Sequence, residues 1–226
     1  MNAEPGRLAP HNMIQAVFFD LDGTLADTAA DLSYALNCMR TARGLQQLPV
    51  EATRSVTSHG ARGLLGVGLD VTPEHADYGA LREEFLAIYA ANLCRETRLF
   101  PDMAELLTEL ERRGILWGVV TNKAERFTLP LLELLGIHSR AACVIGGDTT
   151  GKLKPDPASL IAASERIRIA PGRCLYLGDD ERDMQAGRAA GMKVVAARFG
   201  YLNGNDPATW GADAIIDRPL ELLDYL

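Results

Sequence analysis

Acidic residues recur at two places where an apolar run stops. Val17-Phe18-Phe19 leads into Asp20-Leu21-Asp22-Gly23-Thr24, and Leu175-Tyr176-Leu177 leads into Gly178-Asp179-Asp180-Glu181-Arg182-Asp183. Acids that cap a helix are common; acids that terminate a wholly apolar strand are not. Asp20 and Asp22, at i and i+2, project to one side if the chain stays extended, and Gly23 then permits a tight turn. Should both strand ends converge, the carboxylates repel one another by several kcal/mol at an effective dielectric of about 20. A divalent cation relieves that repulsion, and all-oxygen ligands favour Mg²⁺ over zinc. Asp180 and Glu181 equally suit the opening of a helix, where acids complement the dipole.

Two further strand ends carry polar groups. Thr121 and Asn122 follow the apolar run Ile115–Val120, and Lys154 sits in Lys154-Pro155-Asp156-Pro157. Alone, such a threonine caps a helix and such a lysine is solvated. Beside the acids they compose a phosphate site, in which metal and Lys154 neutralise charge while Thr121 and backbone N–H groups orient the oxygens.

Positioning these groups requires strands that all end at one edge. Short apolar runs at Gln15–Phe19, Ile115–Val120, Ala142–Ile145, Cys174–Leu177, Lys193–Ala196 and Ala214–Ile216 alternate with amphipathic stretches. That alternation predicts an α/β fold, a three-layer Rossmann-like core around a parallel sheet. Met103, Leu106, Leu107 and Leu110 form a helical stripe that Gly114 is placed to stop. Pro130 predicts a helix that is bent or starts near it. The stretch between the first two strands is far longer than a crossover needs. Its stripes, Leu32, Ala35, Leu36, Met39 and then Leu81, Phe85, Ile88, Tyr89, predict an inserted α-helical cap domain. The expected division is a disordered extension over 1–13, a core over 14–27 and 100–226, and a cap over 28–99.

Composition narrows the classes. The 226-residue chain is 47% hydrophobic and 23% charged, which supports a packed core rather than disorder. Its formal net charge of −7 is the wrong sign for a nucleic-acid or anionic-membrane partner. Cys38, Cys94, Cys143 and Cys174 lack any C-x-x-C spacing and read as reduced thiols of a cytoplasmic protein. His11, His59, His75 and His138 show no metal-ligand spacing. Gly146–Lys152 imitates a phosphate-binding loop, but Leu153 stands where a hydroxyl must coordinate Mg²⁺ and Pro155 follows. No signal or membrane-spanning segment is expected.

Taken in order, Asp20-x-Asp22-Gly-Thr, Thr121, Lys154 and Gly178-Asp179-x-x-x-Asp183 resemble the haloacid dehalogenase superfamily of phosphotransferases, over nearly all of the chain from Gln15 onward. The insert resembles that of members with a C1-type helical cap. Within the superfamily the chain is similar to phosphoglycolate phosphatases, and to the N-acetylmuramic acid 6-phosphate phosphatases of cell-wall recycling. The latter likeness rests on Trp117-Gly-Val-Val-Thr-Asn-Lys123, Gly178-Asp-Asp-Glu-Arg-Asp183 and Gly200-Tyr201…Trp210-Gly-Ala-Asp213.

The resemblance implies a Mg²⁺-dependent phosphomonoester hydrolase, with Asp20 as nucleophile forming an aspartyl-phosphate and Asp22 as acid, then base. Mg²⁺ would be held by the Asp20 carboxylate, the Asp22 carbonyl and Asp179, with Asp183 holding a ligand water or orienting Lys154. Thr121, Asn122 and Lys154 would bind the phosphoryl oxygens. Ser58-His59-Gly60-Ala61-Arg62-Gly63 is a candidate specificity loop, in which Arg62 receives a substrate carboxylate. The expected partner is a small phosphate ester, 2-phosphoglycolate or N-acetylmuramic acid 6-phosphate, handled by a monomer or homodimer. Alternatives are a sugar-phosphate mutase of the β-phosphoglucomutase type and a non-catalytic receiver; Asp22 and the cap argue against the receiver.

Overall fold

The first apolar run becomes β1 (Ala16–Phe19), and a turn leads to the two-residue strand β2 (Ala26–Asp27). Four helices follow, α1 (Ala29–Ala42), α2 (Val50–Arg54), α3 (Gly60–Leu69) and α4 (Tyr78–Ala90), before a second short strand, β3 (Arg98–Leu99). The chain then alternates through α5 (Met103–Arg112), β4 (Leu116–Val120), α6 (Glu125–Leu134), β5 (Val144–Ile145) and α7 (Ala158–Ile167). It ends with β6 (Cys174–Gly178), α8 (Glu181–Ala189), β7 (Lys193–Ala197) and β8 (Ala214–Ile216). This computed structural model describes residues 14–226; the extension expected over 1–13 lies outside the described residues.

Six strands form one parallel sheet in the order β5-β4-β1-β6-β7-β8. The unbroken apolar text of β1 has a direct cause, since helices cover both faces of the sheet. Val17 and Phe19 pack with the α5 stripe, while Ala16 and Phe18 pack with Leu160 and Ala163 of α7 and Ala186 of α8. Phe18 and Phe19 are each fully buried, about 1.5–3 kcal/mol of transfer free energy apiece. Connections from β1 run first toward β4 and β5, and later to β6 on its other side. That reversal opens a crevice at the strands' carboxyl ends, where ligands of open α/β sheets bind.

The α5 stripe is wholly buried, and Gly114, at φ +71°, closes the helix by donating its N–H to the Glu111 carbonyl. Pro130 neither starts nor stops a helix, which corrects one alternative of the sequence reading: α6 begins at Glu125 and runs through it. The ring removes one backbone donor, and burial of Leu131 and Leu132 beneath the sheet holds the helix together regardless.

α1, α3 and α4 have their own apolar cluster, in which Leu32, Ala35, Leu36 and Met39 meet Leu64, Leu65, Phe85 and Tyr89. Phe127 of α6 joins it, so the helical insert rests on the first turn of a core helix. The insert leaves through β2 and returns through β3, and the two strands pair antiparallel, Ala26 with Leu99 and Asp27 with Arg98. A buried carboxylate fastens this junction. Asp31, in the first turn of α1, accepts from the Glu96 and Thr97 N–H groups and from the Thr97 hydroxyl at 2.7 Å.

Candidate active site

Asp20 follows β1, Asp179 follows β6, and Asp183 lies in the first turn of α8; one carboxylate oxygen from each falls within 4.8 Å of the others. Asp183 and Asp179 are essentially buried and Asp20 is 8% exposed. Lys154, from the β5–α7 connection, places its Nζ 2.9 Å from Asp20 and 2.7 Å from Asp183. Tyr176 of β6 supports the lysine: Nζ donates to its hydroxyl at 2.7 Å, which in turn donates to the Val120 carbonyl at 2.8 Å.

Close approach of backbone makes this packing feasible. Gly23 has φ +90°, and a Cβ there would collide with the Asp179 carboxylate; a Cβ at Gly178 would strike Asp183. Asp179 accepts from the Thr24 hydroxyl at 2.8 Å and from the Tyr201 N–H at 2.7 Å. Asp180 caps α8 reciprocally with Asp183, as acids opening a helix do.

Three carboxylates face one ammonium, leaving two negative charges uncompensated. The consequences are visible in the acids. Burial, with Asp20 and Asp183 nearby, drives the Asp179 carboxyl well above its ordinary range. Burial also pushes Asp183 up to about 6, against the opposing pull of Lys154. For Lys154, burial alone would lower the pKa, yet Asp183 and Asp20 outweigh it and keep the ammonium charged. A hard divalent cation fits this all-oxygen set, because it supplies the charge that Lys154 cannot.

Asp22 stands apart from that trio. The chain turns immediately after β1 rather than staying extended, with Gly23 N–H donating to the Ala26 carbonyl, so the expectation of an extended i, i+2 pair is corrected. Asp20 and Asp22 reach the same cavity by way of the turn. The Asp22 carboxylate accepts from the Thr28 hydroxyl at 2.6 Å and pairs with Lys123 Nζ at 2.9 and 3.2 Å. Lys123 is itself enclosed, 4.6 Å above the ring of Tyr89 on α4.

The cavity holds about 320 Å³. Asp20, Asp22, Thr121, Asn122, Lys154 and Asp183 line it from the sheet side, and His59 and Arg62 line it from the insert. Arg82, Phe85 and Tyr89 of α4 widen that second wall, and Arg126 of α6 lines the cavity from the core. Arg182 bridges the two sides, gripping both oxygens of Asp180 at 2.8 Å and donating to the Ser58 carbonyl at 3.1 Å. Thr121 is buried at the floor. The Asn122 side chain is committed elsewhere: it exchanges two hydrogen bonds with the backbone of Lys154, at 2.8 and 3.1 Å. The side-chain amide thus positions the lysine.

Sequence reasoning passed over Lys123, Tyr176, Thr28 and Arg182 as individual residues. Lys123 had a signal, as a lysine two residues beyond Thr121 at a strand end. Tyr176 had a weaker one, a hydroxyl inside an otherwise apolar strand. Nothing local marks Thr28, whose role depends on how the turn returns to Asp22.

Comparison with known proteins agrees with this geometry. The model of the family described as haloacid dehalogenase-like hydrolase matches residues 17–197. The chain is 42% identical over 210 residues to an N-acetylmuramic acid 6-phosphate phosphatase of Pseudomonas putida, covering 92% of this chain and 94% of that one. It is 43% identical over 212 residues to a phosphoglycolate phosphatase of Xanthomonas campestris pv. campestris, covering 92% and 94%. The crystal structure of a predicted phosphoglycolate phosphatase from Haemophilus somnus superposes with a TM-score of 0.84 at 27% identity, covering 94% of this chain and 97% of that one. With acids, lysine and threonine gathered at the carboxyl edge of such a sheet, the chain belongs to the haloacid dehalogenase-like hydrolase family.

Proposed function

We propose that this hydrolase cleaves a small carboxylated phosphate monoester by way of an aspartyl-phosphate on Asp20. The supporting observation is the convergence of Asp20, Asp183 and Lys154 on the floor of a cavity that Asp22 also lines from the sheet side. The Asp20 carboxylate attacks phosphorus while Lys154 and Thr121 bind the equatorial oxygens as charge redistributes. Asp22 gives a proton to the departing alkoxide and later takes one from the water that hydrolyses the acyl phosphate. Asp20, Asp179 and Asp183, with the Asp22 carbonyl, would hold Mg²⁺, which when bound offsets the negative charge of acids and phosphate.

The helical insert, residues 28–99, acts as a cap that encloses the leaving group. Relatives named for N-acetylmuramic acid 6-phosphate and for phosphoglycolate both act on esters bearing a carboxylate. Arg62 and His59 on the cap are the groups proposed to meet it. A volume of about 320 Å³ exceeds what phosphoglycolate fills and suits the sugar phosphate.

The test is phosphate release from both esters with Mg²⁺ present. Turnover should be higher on the sugar phosphate, and Asp20→Asn should lower it by about 10⁴-fold or more. Retained turnover in that variant would overturn the nucleophile assignment, and preference for phosphoglycolate would overturn the substrate.

A further inference from the structure

Tyr201 lies beyond β7, outside every motif assigned a role above. It is 3% exposed, and its two polar ends serve two different places. Its backbone N–H donates to Asp179 Oδ2 at 2.7 Å. Its hydroxyl sits at the head of α1, accepting from the Thr28 N–H at 2.8 Å and the Ala29 N–H at 3.0 Å. The same hydroxyl donates to Asp27 Oδ1 at 2.6 Å, and Asp27 also pairs with Arg54 of α2, whose guanidinium lies 5.5 Å above the Tyr201 ring.

These contacts make one chain of bonds. The hydroxyl fixes the Thr28 backbone, and the Thr28 hydroxyl fixes the Asp22 carboxylate at 2.6 Å. Asp27 and Thr28 are also where the polypeptide passes from β2 into the helical insert. One residue, by its backbone N–H at one end and its hydroxyl at the other, therefore spans from the acid cluster to the segment that holds Asp22, and it does so at the hinge of the insert.

We infer that Tyr201 is a positioning residue, which sets the placement of Asp22 relative to Asp179 and holds the insert's hinge in register with both. The inference rests on the reading of Asp22 as the proton donor. Tyr201→Phe separates the two ends of the residue, because it keeps the ring and the backbone N–H on Asp179 while deleting only the hydroxyl. The Thr28 N–H is then orphaned, the Ala29 N–H keeps only a long 3.4 Å bond to Asp27, and Asp27 keeps Arg54 but loses its hydroxyl donor, which together loosen the first turn of α1.

The experiment compares wild type, Tyr201→Phe, Thr28→Val and the double variant. Amide hydrogen exchange is read first. Exchange at Thr28 and Ala29 should quicken at least about tenfold in Tyr201→Phe, while the Tyr201 amide stays protected. On phosphate release, kcat should fall about 10- to 100-fold with KM and the Mg²⁺ activation constant within twofold of wild type. Thr28→Val should match that loss, the double variant should add little to it, and Thr28→Ser should restore most of it.

Unchanged exchange at Thr28 and Ala29, or losses in kcat that multiply in the double variant, would overturn the inference. So would a Mg²⁺ activation constant that moves with kcat, the signature of a general loosening. Absence of phosphate release in the wild type would sink the proposed function instead, and the exchange measurement would still decide the role of the hydroxyl. Should Tyr201→Phe fail to fold, Thr28→Val and Thr28→Ser test the same chain from its other link.

Discussion

On the floor of the cavity each charged group is held by several others. Lys154 touches Asp20, Asp183 and Tyr176, and the glycines at 23 and 178 leave no room for a side chain to intervene. On the facing wall, His59, Arg62 and Arg82 stand exposed on helices whose own packing is apolar. The floor is rigid because its groups are buried and mutually dependent; removing one strands the rest. The wall is a set of independent side chains on a scaffold that does not need them. A catalytic constellation tolerates little displacement, whereas a recognition surface can change residue by residue.

The sharpest way to break this contrast is on the floor. Lys154→Met leaves Asp20 and Asp183 buried without a counter-charge, so at pH 7 the variant should lose about 3–5 kcal/mol of stability in urea titrations. Phosphate release should fall with it, by about 10³-fold. A variant as stable as wild type would mean that the floor is not the interdependent unit described.

Metal linkage gives an intermediate effect with a defined sign. The pKa values of Asp183, about 6, and of Asp179, well above its ordinary range, are raised in the folded metal-free chain. Raised acids hold protons that the unfolded chain has released, so their contribution to stability declines as pH climbs from the unfolded value through the folded one. Mg²⁺ must displace those protons, and its affinity therefore increases with pH. Melting curves should show a larger rise in Tm on adding MgCl₂ at pH 7.5 than at pH 5.5, equivalent to about 2.7 kcal/mol when the ion is at 100 times its Kd. An equal shift at both pH values would argue that protons and metal do not compete for these carboxylates.

The smallest expected change is on the wall. Arg62→Ala should raise KM about tenfold for a carboxylated ester, leave kcat within twofold, and leave Tm unchanged. If kcat falls instead, the wall takes part in the chemistry and the contrast with the floor dissolves.

Much of this was legible beforehand because burial writes itself into composition. A strand covered on both faces must be apolar at every position, so six such runs announced six parallel strands, and acids at their ends stood out. β2 and β3 escaped, since two residues cannot display a period. Pro130 misled because a missing hydrogen bond is a local cost, and the packing of Leu131 and Leu132 overrides it. Asn122 was placed at the right strand end, but the bonds of its side chain to the Lys154 backbone escaped, since which way an amide points depends on the loop that brings Lys154 past it.

By itself the sequence determined the sheet, the existence of the helical insert and the identity of the acids, lysine and threonine, because alternation, spacing and residue type are local properties. Tertiary structure alone decided that Asp22 belongs with Lys123 and Thr28 rather than with the carboxylate trio, and that Tyr201 spans both. The Asp22–Lys123 and Tyr201–Asp27 pairings join residues 101 and 174 positions apart, and only folding sets which of several acids a given cation or hydroxyl can reach.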